Sequence, residues 1–67
     1  MKDVFTIRFV DVVSSDEGVA IVRAETKLIA ICISLKSDGD IETFLDVPVC
    51  TELVNALQQA IDIAKHE

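Results

Sequence analysis

Few side chains in this sequence could take part in chemistry, and they are scattered along the chain. The two thiols, Cys32 and Cys50, each lie within an apolar run, and the one imidazole is that of His66. A serine, threonine or cysteine nucleophile needs a neighbouring base, and a single histidine on the polar side of a predicted helix is a poor source of one. Thiols in apolar surroundings are expected to be unreactive. The sequence therefore predicts no nucleophilic catalysis.

Metal and phosphate sites have equally little support. Gly39 and Ile41 have the spacing of the sixth and eighth positions of an EF-hand calcium loop. An EF-hand needs Asp at the first position, Asp or Asn at the third and Glu at the twelfth, but here these positions would be Ser34, Lys36 and Leu45. Two cysteines and one histidine cannot supply four zinc ligands. The two glycines lie in separate turns and form no phosphate-binding loop. We expect no metal and no cofactor.

The composition and net charge of the chain argue against further classes of function. The 67 residues carry 12 acidic and 6 basic side chains, which gives a net charge of −6 at pH 7, and 51% of the chain is hydrophobic. An acidic chain repels the phosphate backbone, so direct nucleic-acid binding is not expected. A chain of this length has no room for a catalytic cleft between two domains. We predict one small folded domain, residues 1–67, that is not an enzyme.

The compartment is predicted from cysteine usage and from the apolar runs. A secreted domain of this size usually carries several disulfides, whereas this chain has two cysteines and no leader-like segment in its first residues. The longest wholly apolar stretch, residues 28–33, is far shorter than the roughly 20 residues that span a membrane as a helix. We expect a cytoplasmic protein that does not cross a membrane.

Hydrophobic periodicity predicts four strands followed by a helix. Runs rich in β-branched residues indicate strands at about residues 4–13, 19–25, 27–36 and 40–45. From about residue 47 to 66 the apolar positions recur at helical spacing, with Asp46 as a candidate N-cap and Pro48 in the first turn. The predicted fold is a two-layer α+β domain. It consists of a four-stranded antiparallel β-meander followed by one C-terminal α-helix packed on one sheet face.

Side-chain alternation predicts the register of the hairpin formed by the third and fourth strands. A three-residue loop with Gly39 in the left-handed conformation pairs Leu35 with Ile41 and Ile31 with Leu45, and it is preferred to a two-residue loop. This register gathers the large aliphatic side chains on one face, together with Phe5, Ile7 and Phe9 of the first strand. We expect the helix to lie across that face, whose aliphatic residues are Ile29, Ile31, Ile33, Leu35, Ile41 and Leu45.

The opposite face of the sheet is predicted to be apolar as well. Its residues would be Val4, Val10, Val12, Ala20, Val22, Ala24, Leu28, Ala30, Cys32 and Phe44. Soluble monomers rarely expose so large an apolar patch, and a core this small lacks a disulfide or a metal to stabilise it. We predict an obligate homodimer joined sheet on sheet. The candidate interface residues are Val10, Val22, Leu28, Ala30, Cys32 and Phe44.

Acidic residues cluster in two turns and in the last strand. They are Asp16, Glu17, Asp38, Asp40 and Glu42. The first and third turns of a meander lie at the same end, so we hypothesise an acidic surface that binds and masks a basic site of a larger protein partner. Such a module would be a small regulator or inhibitor, of the kind that phages and mobile elements encode. Solubility is the competing explanation for the charge.

Two alternative functions stay open. One is a small-ligand-binding dimer with its pocket at the subunit interface, beneath Phe44 and Leu28. The other is an accessory subunit of a heteromeric complex, in which the exposed sheet face binds a different protein. In the first two functions a second copy of the chain covers the exposed apolar surface, and in the third a different protein covers it.

Overall fold

A computed structural model describes residues 3–67 of the chain. Its elements in order are β1 (Val4–Val10), β2 (Glu17–Glu25), β3 (Leu28–Leu35), β4 (Gly39–Asp46) and α1 (Val47–Lys65). The strands form one antiparallel sheet in the order β1-β2-β3-β4. The helix packs against β3 and β4. The predicted α+β meander with a C-terminal helix is confirmed.

The first strand is shorter than predicted because a side chain ends it. β1 stops at Val10, and residues 11–13 begin a loop instead of continuing the strand. Asp11 Oδ1 accepts hydrogen bonds from the backbone N–H of Val13 at 2.8 Å and of Ser14 at 3.1 Å. An aspartate that binds its own downstream backbone competes with ladder hydrogen bonds and turns the chain. Val12 and Val13 are consequently more than nine-tenths exposed.

The third hairpin has a register different from the predicted one. Leu35 pairs with Gly39 and Ile33 with Ile41, so residues 36–38 form the loop. The backbone N–H of Lys36, the first residue of this loop, donates to the carbonyl of Glu17 at 2.9 Å. Gly39 has a φ of 83°, in the predicted left-handed region. The register differs by two residues, so each side chain keeps its predicted face.

In β2, by contrast, the predicted faces were wrong. Glu25 pairs with Leu28, which leaves a two-residue turn of Thr26 and Lys27. In this register Val22 pairs with Ile31. Ala20, Val22 and Ala24 therefore share the face of the large aliphatic residues instead of the opposite one. The turn contains neither Gly nor Asn, so its length had no signature in the sequence.

The observed registers divide the sheet into two unlike faces. The apolar face has one polar side chain, Thr43, and otherwise consists of Phe5, Ile7, Phe9, Ala20, Val22, Ala24, Ile29, Ile31, Ile33, Leu35, Ile41 and Leu45, with Gly18. The mixed face combines apolar and charged groups: Val4, Thr6, Arg8, Val10, Glu17, Val19, Ile21, Arg23, Glu25, Leu28, Ala30, Cys32, Ser34, Asp40, Glu42, Phe44 and Asp46. The apolar character is therefore concentrated on one side of the sheet.

The helix begins where the last strand ends. Asp46 is both the final residue of β4 and the N-cap of α1, and its Oδ1 accepts the N–H of Val49 at 3.0 Å. Pro48 lies in the first turn, so both predicted start signals are confirmed. Because no residue separates strand from helix, the chain lacks the loop of a few residues that usually turns a helix back over its sheet.

The expected cover of the large aliphatic face is therefore incomplete. Within residues 3–67, α1 contacts β3 and β4 but neither β1 nor β2, and it has no buried residue. Ala30 is the one buried hydrophobic residue of this part of the chain. The radius of gyration is 13.5 Å, whereas a compact chain of this length has about 11 Å. A single chain thus leaves many of its large apolar side chains more than a third exposed.

The second turn generates a test of backbone strain. Lys27 has a φ of 63°, a conformation that costs residues other than glycine roughly 1–2 kcal/mol. We expect Lys27→Gly to raise the free energy of unfolding by about 0.5–1 kcal/mol, after the greater flexibility of the unfolded glycine chain is subtracted. Urea denaturation at fixed protein concentration measures this change. Thr26→Gly is the matched control, since Thr26 has no positive φ. Equal effects of the two variants would contradict the argument.

Candidate functional site

The predicted acidic surface is assembled by hydrogen bonds between two connections. The Asp16 carboxylate accepts the backbone N–H of Ser37 at 2.9 Å and its hydroxyl at 3.1 Å. The nearby bond from Lys36 to the Glu17 carbonyl joins the same two segments. The β1–β2 loop and the β3–β4 turn thus lie together at one end of the sheet. We call this the acidic end, and its residues are Asp16, Glu17, Asp38 and Asp40.

Not every predicted acidic residue belongs to the acidic end. The side chain of Glu42 lies on the mixed face, where its Oε2 accepts a hydrogen bond from Nη2 of Arg23 at 3.0 Å. Asp16 is half-buried and has both oxygens bonded to Ser37. The exposed carboxylates at this end are therefore those of Glu17, Asp38 and Asp40. A partner would meet three carboxylates per chain here, and not the five that were predicted.

Asp11 is a further acidic residue of this end that the predictions missed. Its backbone N–H donates to the carbonyl of Asp16 at 2.8 Å, and its own carbonyl accepts the N–H of Ser15 at 2.7 Å. The backbone N–H groups of Ser14 and Val13 donate to its carboxylate and hold the pKa of Asp11 below the usual 3.8. The sequence signal was available, since an aspartate followed by serines at a strand end is typical of such a turn.

The candidate dimer interface is divided between the two faces. Val22 lies on the apolar face, whereas Val10, Leu28, Ala30, Cys32 and Phe44 lie on the mixed face. The ion pair between Arg23 and Glu42 spans the mixed face, because Arg23 is paired with Ala30 and Glu42 with Cys32. Ala30 is already 1% exposed in the single chain. The six residues therefore do not lie on one face, and the five on the mixed face share it with a charged pair.

The exposed apolar surface lies instead on the other face and on the helix. On the apolar face Phe5, Ile7 and Ile41 are between 59% and 69% exposed. Phe9 is half-buried because its ring lies against Gly18, where a Cβ would come within 2.6 Å of the ring carbon Cζ. On α1, most of the exposed large side chains belong to the predicted apolar stripe, and Val47 and Ile63 are exposed outside it. The stripe comprises Val49, Cys50, Leu53, Val54, Leu57, Ala60, Ile61 and Ala64.

The side chains that could take part in catalysis or metal binding are scattered over the structure. Cys32 and Cys50 are free and half-buried. Nδ1 of His66 lies 2.6 Å from the carbonyl oxygen of Asp62 in the last turn of the helix. Among residues 3–67 no three His, Cys, Asp or Glu side chains are close enough to hold a metal ion. A depression of about 470 Å³ between the two connections is lined by Ser14, Ser15, Asp16, Ser37 and Asp38.

Asp11 gives the acidic end a defined pH response. Because its folded pKa is lowered, its stabilising contribution is present above pH 3.8 and is lost as the pH falls through the folded pKa. We expect the Asp11 carboxyl to titrate below pH 3.8 when followed by NMR. Asp11→Asn should remove this part of the pH dependence of unfolding while it keeps an oxygen acceptor for the turn. A midpoint at or above 3.8 would contradict the hydrogen-bond assignment.

The last observations concern membrane-spanning helices and similarity to known proteins. In the described part of the chain, no helix combines the length and apolar character needed to span a membrane. No protein-family model matches the sequence. No curated protein and no solved structure is significantly similar to it.

Proposed function

We propose that this chain is a non-catalytic protein-interaction module that works as a homodimer. Through its acidic end the dimer binds a basic surface of a larger protein and acts as a regulator or inhibitor. The observation that carries the proposal is the separation of two exposed surfaces on one sheet, one acidic and one apolar. The two free thiols favour a cytoplasmic location.

The apolar face supports the homodimer. Its side chains are apolar apart from Thr43, and several of the largest are more than half exposed. Exposed contiguous apolar surface is typical of an interaction site, because water is released when a partner covers it. Among residues 3–67 only Ala30 is fully buried, so covering this face with a second copy would add hydrophobic stabilisation in proportion to the apolar area removed from water.

The acidic end supports a basic partner. Glu17, Asp38 and Asp40 are exposed on two segments that the Asp16–Ser37 hydrogen bonds tie together. Two backbone segments that are tied together lose less conformational freedom on binding than a mobile loop does. A dimer carries two such ends, and complementary charge raises the association rate with a basic surface.

A second candidate function uses the same apolar face. In an accessory subunit the face would be covered by a different protein, and the chain alone would be a monomer. If the exposed side chains of the helix are set aside, those of the apolar face support a different protein partner as well as they support a second copy. Solution mass measured by light scattering distinguishes the two, because the homodimer has twice the mass of 7.3 kDa.

Neutralising the acidic end tests the binding role. We compare Glu17→Gln/Asp38→Asn/Asp40→Asn with a control that neutralises three exposed carboxylates elsewhere, Glu52→Gln/Asp62→Asn/Glu67→Gln. Each triple variant changes the net charge from −6 to −3, since three negative charges are removed. The probe is a poly-lysine peptide of fixed length, and its affinity is measured by calorimetry at several salt concentrations.

We expect the acidic-end variant to bind about tenfold more weakly, as three exposed ion pairs of about 0.5 kcal/mol each would give. The control should lose less than half of that free energy. Its salt dependence should also stay close to that of the unmodified protein. Equal losses in both variants would mean that net charge alone, and not its position at the acidic end, determines the affinity, and would refute the binding role.

A further inference from the structure

The apolar face and the apolar stripe of the helix are exposed in the same chain. We infer that each covers the other in a second copy, so that α1 of one protomer packs across the apolar face of its partner, and reciprocally. The inference rests on the homodimer of the proposed function and specifies how that dimer is built. The occupant of the apolar face is thus a helix of this same chain.

The direct connection between β4 and α1 explains why the helix of one protomer is free to pack on the apolar face of its partner. The capped start of α1 at Asp46 follows β4 without a linker, and α1 contacts only the two nearest strands of the described chain. The half of the apolar face built by β1 and β2 is therefore out of reach of the protomer's own helix. A helix from another chain is not bound by this connection and can reach β1 and β2 as well.

The two surfaces match in chemistry and in length. The stripe runs from Val49 to Ala64, which is about 22 Å at 1.5 Å per residue. On β3 the apolar face runs from Ile29 to Leu35, about 20 Å at 3.3 Å per residue. The stripe and the face are almost wholly apolar, with Thr43 as the polar exception. Packing them together leaves few polar groups without a partner.

The exposed area fits an obligate dimer. The chain exposes 5557 Å², whereas a compact monomer of 7.3 kDa exposes about 4,200 Å². The excess is about 1,400 Å² per chain, or about 2,800 Å² for two copies. Obligate homodimers bury roughly 2,000–5,000 Å² in total. Burying the excess surface between two copies would therefore give a dimer of ordinary size.

Reciprocal packing also covers more apolar surface than a sheet-on-sheet dimer. Two stacked apolar faces would leave both helix stripes exposed, and two stacked mixed faces would enclose the Arg23–Glu42 ion pairs at a desolvation cost. Exchange of helices covers both apolar surfaces at once. It also has the twofold symmetry of an isologous interface, because the same residues meet twice.

A pair of single variants tests the exchange. Ile33→Glu puts a charge on the apolar face, and Leu57→Lys puts one on the stripe; both side chains are more than two-fifths exposed in the single chain. Each homodimer then has two damaged contacts. A mixture of the two variants can form a heterodimer in which one contact joins an unaltered face to an unaltered stripe. Thr6→Glu on the mixed face and Gln59→Lys on the polar side of α1 are the controls.

The readouts are light scattering for mass and native mass spectrometry for composition. We expect each variant alone to be monomeric or unfolded, the controls to be dimeric, and the mixture to recover a heterodimer. A Leu57→Lys protein that remains dimeric while Ile33→Glu does not would overturn the exchange in favour of a sheet-on-sheet dimer. A monomeric unmodified protein would instead overturn the homodimer of the proposed function.

If the single variants fail to fold and their mixture forms no heterodimer, cross-linking tests the helix exchange. Ile33→Cys/Leu57→Cys, made with Cys32→Ala and Cys50→Ala, is treated with a flexible bis-maleimide, and the linked peptides are mapped by mass spectrometry. Links between positions 33 and 57 in a covalent dimer support the exchange. Links between these positions within one chain would show that α1 covers its own sheet, and would overturn it.

Discussion

The cap at Asp46 is the constraint on which the rest of this structure depends. One carboxylate ends β4 and receives the N–H of Val49, so strand and helix share a residue and no loop lies between them. A two-layer domain closes when its helix returns over the sheet, and that return needs connecting residues. Here the chain has both layers but cannot bring them fully together. The exposed apolar face and the exposed stripe are two consequences of the same capped junction.

A single protomer therefore buries few of its described apolar residues fully. Ala30 is the one buried hydrophobic residue among those described, and its burial on the central strand β3 coincides with an ion pair that crosses that strand. Apolar side chains contribute to stability in proportion to the area that leaves the water. If that area is covered by a second copy, folding and association become one equilibrium, and stability depends on protein concentration.

The order of the elements and the helix start could be predicted because their signals are local. Alternation, helical period, Asp46 and Pro48 need no knowledge of the rest of the chain. The faces of β2 could not be predicted in this way, because they depend on a turn in which Lys27 takes a conformation usual for glycine. The meander topology was enough to bring Asp16 and Asp38 to one end. It was not enough to assign Glu42, since the reach of Arg23 across β3 depends on the register of β2.

The relative positions of the acidic end and the apolar face determine whether both surfaces can be bound at once. The acidic end is formed by connections at one end of the sheet, whereas the apolar face lies at right angles to that end, along the strands. A dimer that closes over the apolar face consequently leaves Glu17, Asp38 and Asp40 accessible on each protomer. Exchanged helices would hold the two acidic ends at a fixed separation. A basic partner with two sites at that separation would bind with the added strength of a second, intramolecular contact, whereas a partner with one site would not.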